Sequence, residues 1–377
     1  MAGTSRVTLP QEFYDKTEDL LLVQPEPQYL YSELFLGAMN ASLMADTDFS
    51  LPWRDARPAP ANIAPYGGPI LPAERDQLRL ANPLFNEIIA AKVDFTAAPG
   101  NTVRINRPSY ASTTYTEASR RVPSGSTIST TPITVTSEQA NLTLFRYGGP
   151  YDQANSRVAP FAIEKFDAQM GVHKLAQIAG NTLVRDFHKF IDSVQSTLLD
   201  LAANTIYPLG MTADNDATAA GSYPLTYEQL MRTERSADDL SLPLFSDGFR
   251  IAVLTPMQVT QIGLDPLYAR QSAYHPLYNQ LFPQYVGSIS KTHIFKSSTL
   301  NTPTNTSSVP VHRGHYIAPG ALLGGMGQRP TCVPSTNDNY GQTALVVWLA
   351  DLAFGLADNR FVLSVRSASD VTASGGV

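Results

Sequence analysis

Residues 102–145, "TVRINRPSYASTTYTEASRRVPSGSTISTTPITVTSEQANLTLF", constrain the chain more than any other stretch, because they combine a two-residue apolar period with dense Ser and Thr. Val103 and Ile105 alternate with Thr102, Arg104 and Asn106; Ile133 and Val135 alternate with Thr134 and Thr136; Leu142 and Leu144 alternate with Asn141 and Thr143. That period belongs to half-buried strands. The intervening Pro108, Arg120, Arg121, Pro123 and Gly125 carry turn chemistry, so the stretch predicts a long, narrow antiparallel hairpin. Limbs of about fifteen to twenty residues at ~3.3 Å each would reach roughly 50–65 Å. A lone two-stranded ribbon is marginal in water, so its apolar face needs another surface.

Composition sharpens that demand. Of 377 residues, 43% are hydrophobic and only 16% charged, with a net charge of −6. Ordinary soluble domains carry about 25% charged residues. A chain this long can bury a sizeable core, and the shortage of charge points to surface that ends inside contacts. A β-rich domain with a Ser/Thr solvent face is the plainer alternative. The acidic balance disfavours a nucleic-acid binder held by phosphate neutralisation. Cys332, the single cysteine, excludes an intrachain disulfide framework and reads as a core residue. "MAGTSRVTLPQEFYDKTEDLLL" has acids before any apolar run, which does not read as a signal peptide, and no apolar run approaches the ~20 residues of a membrane-spanning helix.

Along the chain, residues 1–80 are broken by repeated prolines and form an expected extended arm, with one short helix placing Leu30, Leu34, Met39 and Leu43 near one face. The arm holds six basic and eleven acidic residues, a balance of −5; residues 102–147 hold five basic and two acidic, a balance of +3. Pairing of acidic arm with basic hairpin between copies is one reading; two unrelated solvated faces is the other. Asn82-Pro83 predicts a helix start before "LFNEIIAAKV". A second helix is expected from about 160 to 204, with Pro160 in its first turn and Gly171 and Gly180 able to kink or divide it. Beyond it, "TYEQLMRTERSADDL" predicts a helix capped by Thr226, "FRIAVLTP" a buried strand, "MQVTQIGL" a helix, "VGSISKTHIFKSS" alternating strands, and "ALVVWLADLAFGLADNRFVLSVRS" strands that close a sheet.

Catalytic machinery is not visible. "GALLGGMGQRP" has the glycines of a phosphate loop but lacks its lysine, and reads as a tight loop. His312 and His315, with His293 or Cys332, could share a metal in principle, but no spacing motif supports it. Adjacent Asp238 and Asp239 point apart on a helix and read as solvation rather than an acid pair. No catalytic, cofactor or metal residue is assigned.

The element order, with "NPLFNEIIAAKVDFTAAPGNTVRINRPSY", "FRIAVLTPMQVTQI" and "LFPQYVGSISKTHIFKSSTL" as its local carriers, resembles the major capsid protein of tailed double-stranded-DNA bacteriophages, the Hong Kong 97-like fold. The resemblance implies an α+β chain with an extended N-terminal arm (1–80), a helix leading to the hairpin (81–100), an E-loop-like β-hairpin (101–150), a P-domain spine-helix region (151–222), an A-domain-like mixed α/β region (223–335) and closing strands with a tail (336–377). It further implies a non-enzymatic shell subunit of the virion, assembled in the host cytoplasm into hexamers and pentamers around DNA that is not read by sequence. The partners implied are copies of itself, a portal, and scaffolding or decoration proteins, with no cofactor and no membrane. The expected inter-subunit contacts are Arg104, Arg107, Arg120, Arg121, Ile133, Val135, Leu142, Leu144, Leu30 and Leu34. Nothing matches the lysine–asparagine pair that crosslinks some members, so no crosslink is assigned. An encapsulin-type compartment shares the fold and stays as the alternative, with an α/β hydrolase or binding protein behind it.

Overall fold

A 14-residue strand, β14 (Thr343–Leu356), organises one half of the molecule, a computed structural model that describes residues 30–32, 35–36, 87–95, 100–108, 121, 137–152, 157–217, 223–271, 284–334 and 343–368. On one edge β14 pairs antiparallel with β13 (Leu322–Pro334), which in turn pairs parallel with β1 (Ile89–Asp94). On its other edge β14 takes two partners in succession: β7 (Phe161–Glu164) along residues 343–346, then β4 (Phe145–Gly149) along 348–352. Two small ribbons flank this sheet, β2 (Thr102–Pro108) with β3 (Ser137–Thr143), and β5 (Tyr151–Asp152) with β6 (Arg157–Val158).

Several expectations are corrected here. Residues 89–94 are a strand, not a helix: Ile88, Ile89 and Val93 are β-branched, and the edge of β13 offers a ladder that outweighs the helical preference of the intervening alanines and lysine. Pro160 precedes β7 rather than opening a helix, since Phe161–Glu164 find partners on β14. "GALLGGMGQRP" is largely β13 and not a loop. The final stretch does not close one sheet, because β14 and β15 (Val362–Ala368) lie in different sheets.

The second sheet has six strands in the order β10–β11–β9–β12–β15–β8, where β8 is Asn204–Ile206, β9 Arg250–Leu254, β10 Tyr285–Ile289, β11 Thr292–Lys296 and β12 Val311–Ile317. All five residues of β9 are buried, which is why it reads as a continuous apolar run: Ile251 and Val253 face one core, Ala252 and Leu254 the other. The first core is shared with helix α1 (Lys165–Leu199), the second with α2 (Tyr227–Asp239) and α3 (Pro256–Gly263). A short α4 (Pro266–Gln271) follows.

Helix α1 runs 35 residues without interruption, about 52 Å, through both Gly171 and Gly180. Each glycine costs about 1 kcal/mol of helix propensity, and tertiary packing outweighs it: Leu183, Phe187, Ile191 and Leu199 form a stripe at helical spacing that is buried throughout. Trp348 of β14 anchors the stripe, with its ring centroid 5.0 Å from that of Phe187 and its indole nitrogen donating to Asp186 at 2.8 Å. The Thr226 cap of α2 is as expected, and α3 carries a cap that the sequence reading did not name. Thr226 accepts from the Gln229 amide, and Thr255 with Gln258 forms a reciprocal box behind Pro256 in the first turn. Asp238 does more than solvate its helix, because it accepts from the buried Arg250 at 2.8 Å. No described helix is long and apolar enough to cross a membrane.

Candidate functional site

The root of the hairpin forms as expected. Thr102 pairs with Thr143 and the register continues without a slip to Pro108 against Ser137. Alternation sorts the side chains into two faces. Val103, Ile105, Ala140 and Leu142 pack against Phe95, Leu323 and Ala353, together with Leu144 from the residue after the strand. Thr102, Arg104 and Asn141 line the opposite, exposed face, where the Thr102 and Thr143 hydroxyls lie 3.3 Å apart.

The glycines of β13 explain how a ribbon can sit so close to a sheet. A Cβ at Gly327 would lie 2.7 Å from a Leu144 methyl, and one at Gly325 would enter the ring of Phe95. Glycine therefore serves here as the seat for the hairpin root, and not as a phosphate cradle. Of the expected contact residues, Leu142 is 0% exposed in this seat and Leu30 is 0% exposed in the core around α1, so within the single chain both side chains are already covered. Leu144 is half-buried over Gly327. Arg104 is exposed on the outer face, Arg107 stands opposite Glu138 in the ladder, and Arg121 is exposed. Arg120, Ile133, Val135 and Leu34 lie outside the described residues.

Beside the root lies an apolar surface that the sequence reading missed. Phe145 is 56% exposed on β4, and Tyr151 and Val158 on the adjoining ribbon are 57% and 49% exposed. The clue was available: Leu144 and Phe145 are consecutive in an alternating stretch, so one of them must face outward. Next to Phe145, Arg146 donates twice to Asp351, at 2.8 and 3.0 Å. That bidentate hydrogen bond, and then the carboxylate charge, raise the already high pKa of the guanidinium.

A second polar constellation lies where α1 ends. Arg313 bridges Asp200 at 3.1 Å and Asp214 at 3.2 Å, and His315 meets the other oxygen of Asp200 at 3.1 Å. Burial pushes Asp200 up, but hydrogen bonds from His315 and Asn301 and the charge of Arg313 outweigh it and hold the carboxyl below its ordinary value. His315 is thus a hydrogen-bond partner of Asp200. Among the described residues no group of three or more His, Cys, Asp or Glu side chains could hold a metal. Cys332 is buried in the core around α1.

No protein-family model and no curated protein matches the sequence. Solved structures do match. The capsid of Ralstonia phage GP4 superposes with a TM-score of 0.55 at 13% identity, over 76% of this chain and 89% of that one. The capsid subunit of cyanophage Pam1 superposes with a TM-score of 0.52 at 14% identity, over 86% of this chain and 100% of that one. At so low an identity the likeness is one of fold alone: the chain shares the fold of these two phage capsid chains.

Proposed function

We propose that this chain is the shell-forming subunit of a phage head, a structural protein whose work is assembly and not turnover. The observation that carries the reading is the fold match over nearly the whole length of two phage capsid subunits. The hairpin supports it. Its root is seated rigidly on the body while Arg104 and Arg121 face outward and Phe145 lies exposed alongside, an arrangement suited to reaching across to another copy. Apolar burial at about 25 cal/mol per Å2, summed over several contacts per subunit and reduced by the cost of ordering segments, gives a durable shell from individually weak joints. In this reading the arm of residues 1–80 and the hairpin of 101–150 tie neighbours together, and the spine region of 151–222 is the ruler on which other parts of the subunit are hung. The A-domain-like region, 223–335, gathers hexamers and pentamers, and residues 336–377 complete the subunit. A portal and scaffolding or decoration proteins are the further partners, and the enclosed DNA is not gripped, in keeping with a net charge of −6.

Size-exclusion chromatography with negative-stain imaging of the purified chain tests this. Closed particles are expected, and a small oligomer under every assembly condition, with the chain intact, overturns the reading. Deleting residues 110–130 should leave a folded subunit that forms no closed particles; normal shells from that deletion would remove the clasp role. Nucleic acid inside particles from infected cells, rather than protein cargo, separates a phage head from an encapsulin-type compartment.

A further inference from the structure

We propose that the solvent-facing ridge of α1 is the surface that meets the phosphate backbone of the enclosed DNA. The proposal rests on the shell reading and adds to it which side of the subunit looks inward. Its basis is a row on the helix. Asn181, Arg185, Lys189, Ser193 and Thr197 stand at every fourth position of α1 and are all exposed. Residues four apart form a continuous ridge on a helix, and this one runs about 24 Å at 1.5 Å per residue. The row contains two cations and no carboxylate, in a chain whose net charge is −6.

The carboxyls beside the ridge are engaged elsewhere. Asp186, one position past Arg185, is half-buried and accepts from the Trp348 indole nitrogen at 2.8 Å. Asp192 is buried and accepts from the Ser32 amide at 2.7 Å, and Asp200 is tied to Arg313 and His315. Among the described residues of α1 no large apolar side chain is exposed, whereas the hairpin root and the adjoining ribbon expose Phe145, Tyr151 and Val158. The ridge therefore lacks the apolar centre of a contact between protein subunits. Its amide, hydroxyl and cationic groups are the types that contact phosphate oxygens without reading sequence. Charge decides the partner: a row of cations without anions is complementary to a polyanion. Two cations per subunit make a weak joint, so DNA is touched and not gripped, and only the repetition of the ridge over many subunits makes the contact felt.

Fluorescence anisotropy of a short labelled duplex of random sequence, titrated with the full chain from about 50 to about 200 mM salt, tests the ridge. The logarithm of the binding constant should fall against that of salt with a slope of about −1.8, the value for two neutralised phosphates. Lys189→Gln and Arg185→Gln should each remove about half of that slope and weaken duplexes of any sequence equally. Both positions are exposed, so neither variant should disturb the fold, as denaturant unfolding checks. Slopes unchanged in both variants overturn the proposal, and so does a slope lost in Arg104→Gln instead, which puts the duplex at the hairpin root. An unchanged slope in a variant that no longer forms particles gives the ridge to a protein contact and overturns it as well. Negative-stain imaging of the same preparations separates this proposal from the shell reading. Closed particles with unchanged slopes overturn the ridge alone; a small oligomer that keeps the slope overturns the shell alone.

Discussion

The hairpin root and residues 30–36 are both short pieces laid against the same body, yet they are held by opposite chemistry. The root is fastened by Val103, Ile105, Leu142 and Leu144 over Phe95 and the glycines of β13. Residues 30–36 bring apolar Leu30, Phe35 and Leu36 as well, but they are also pinned to Asp192, His188 and His315. Apolar seating depends on area and fit and is insensitive to protons, whereas a buried carboxylate makes the second attachment a function of pH.

That contrast can be broken by experiment. Leu142→Ala should have the largest effect, a loss of about 2–5 kcal/mol in denaturant unfolding, because the cavity opens where the ribbon meets the sheet; the loss should be the same at pH 5 and pH 7. Gly327→Val should cost about 1–3 kcal/mol by forcing Leu144 off its seat, with exchange of the β2–β3 amides rising while residues 30–36 stay protected. Ser32→Ala should cost about 1 kcal/mol by removing the hydroxyl partner of His188, and should expose residues 30–36 while the hairpin root remains protected. Loss of protection in both places from either substitution would show that the two attachments are a single cooperative unit. Arg104→Glu should be the mildest for the fold, within about ±0.5 kcal/mol, while slowing particle assembly most at low salt, as measured by light scattering; an assembly rate unchanged across salt would place Arg104 outside any contact.

What could be read from the sequence divides along local and non-local lines. The Thr226 cap, the buried β9 and the alternation of the hairpin root depend on neighbours in the chain, and each was visible in a window of a few residues. The strand at Ile89–Asp94, the strand before α1 and the long strand through "GGMG" depend on partners found elsewhere in the chain, so local propensity misassigned all three. The same limit hid the contact of Ser32 with Asp192: the two are 160 residues apart, and neither stands in a recognisable motif. Gly171 and Gly180 show the reverse error, where a correct local argument for a break yields to a helix that continues through both.

One detail of the first sheet bears on how force would travel. Because β7 and β4 occupy successive lengths of the same edge of β14, the strand entering the long helix and the strand leaving the hairpin are bolted end to end along one beam, with Trp348 at the joint. A pull on the hairpin root is therefore delivered along the beam to the base of the helix.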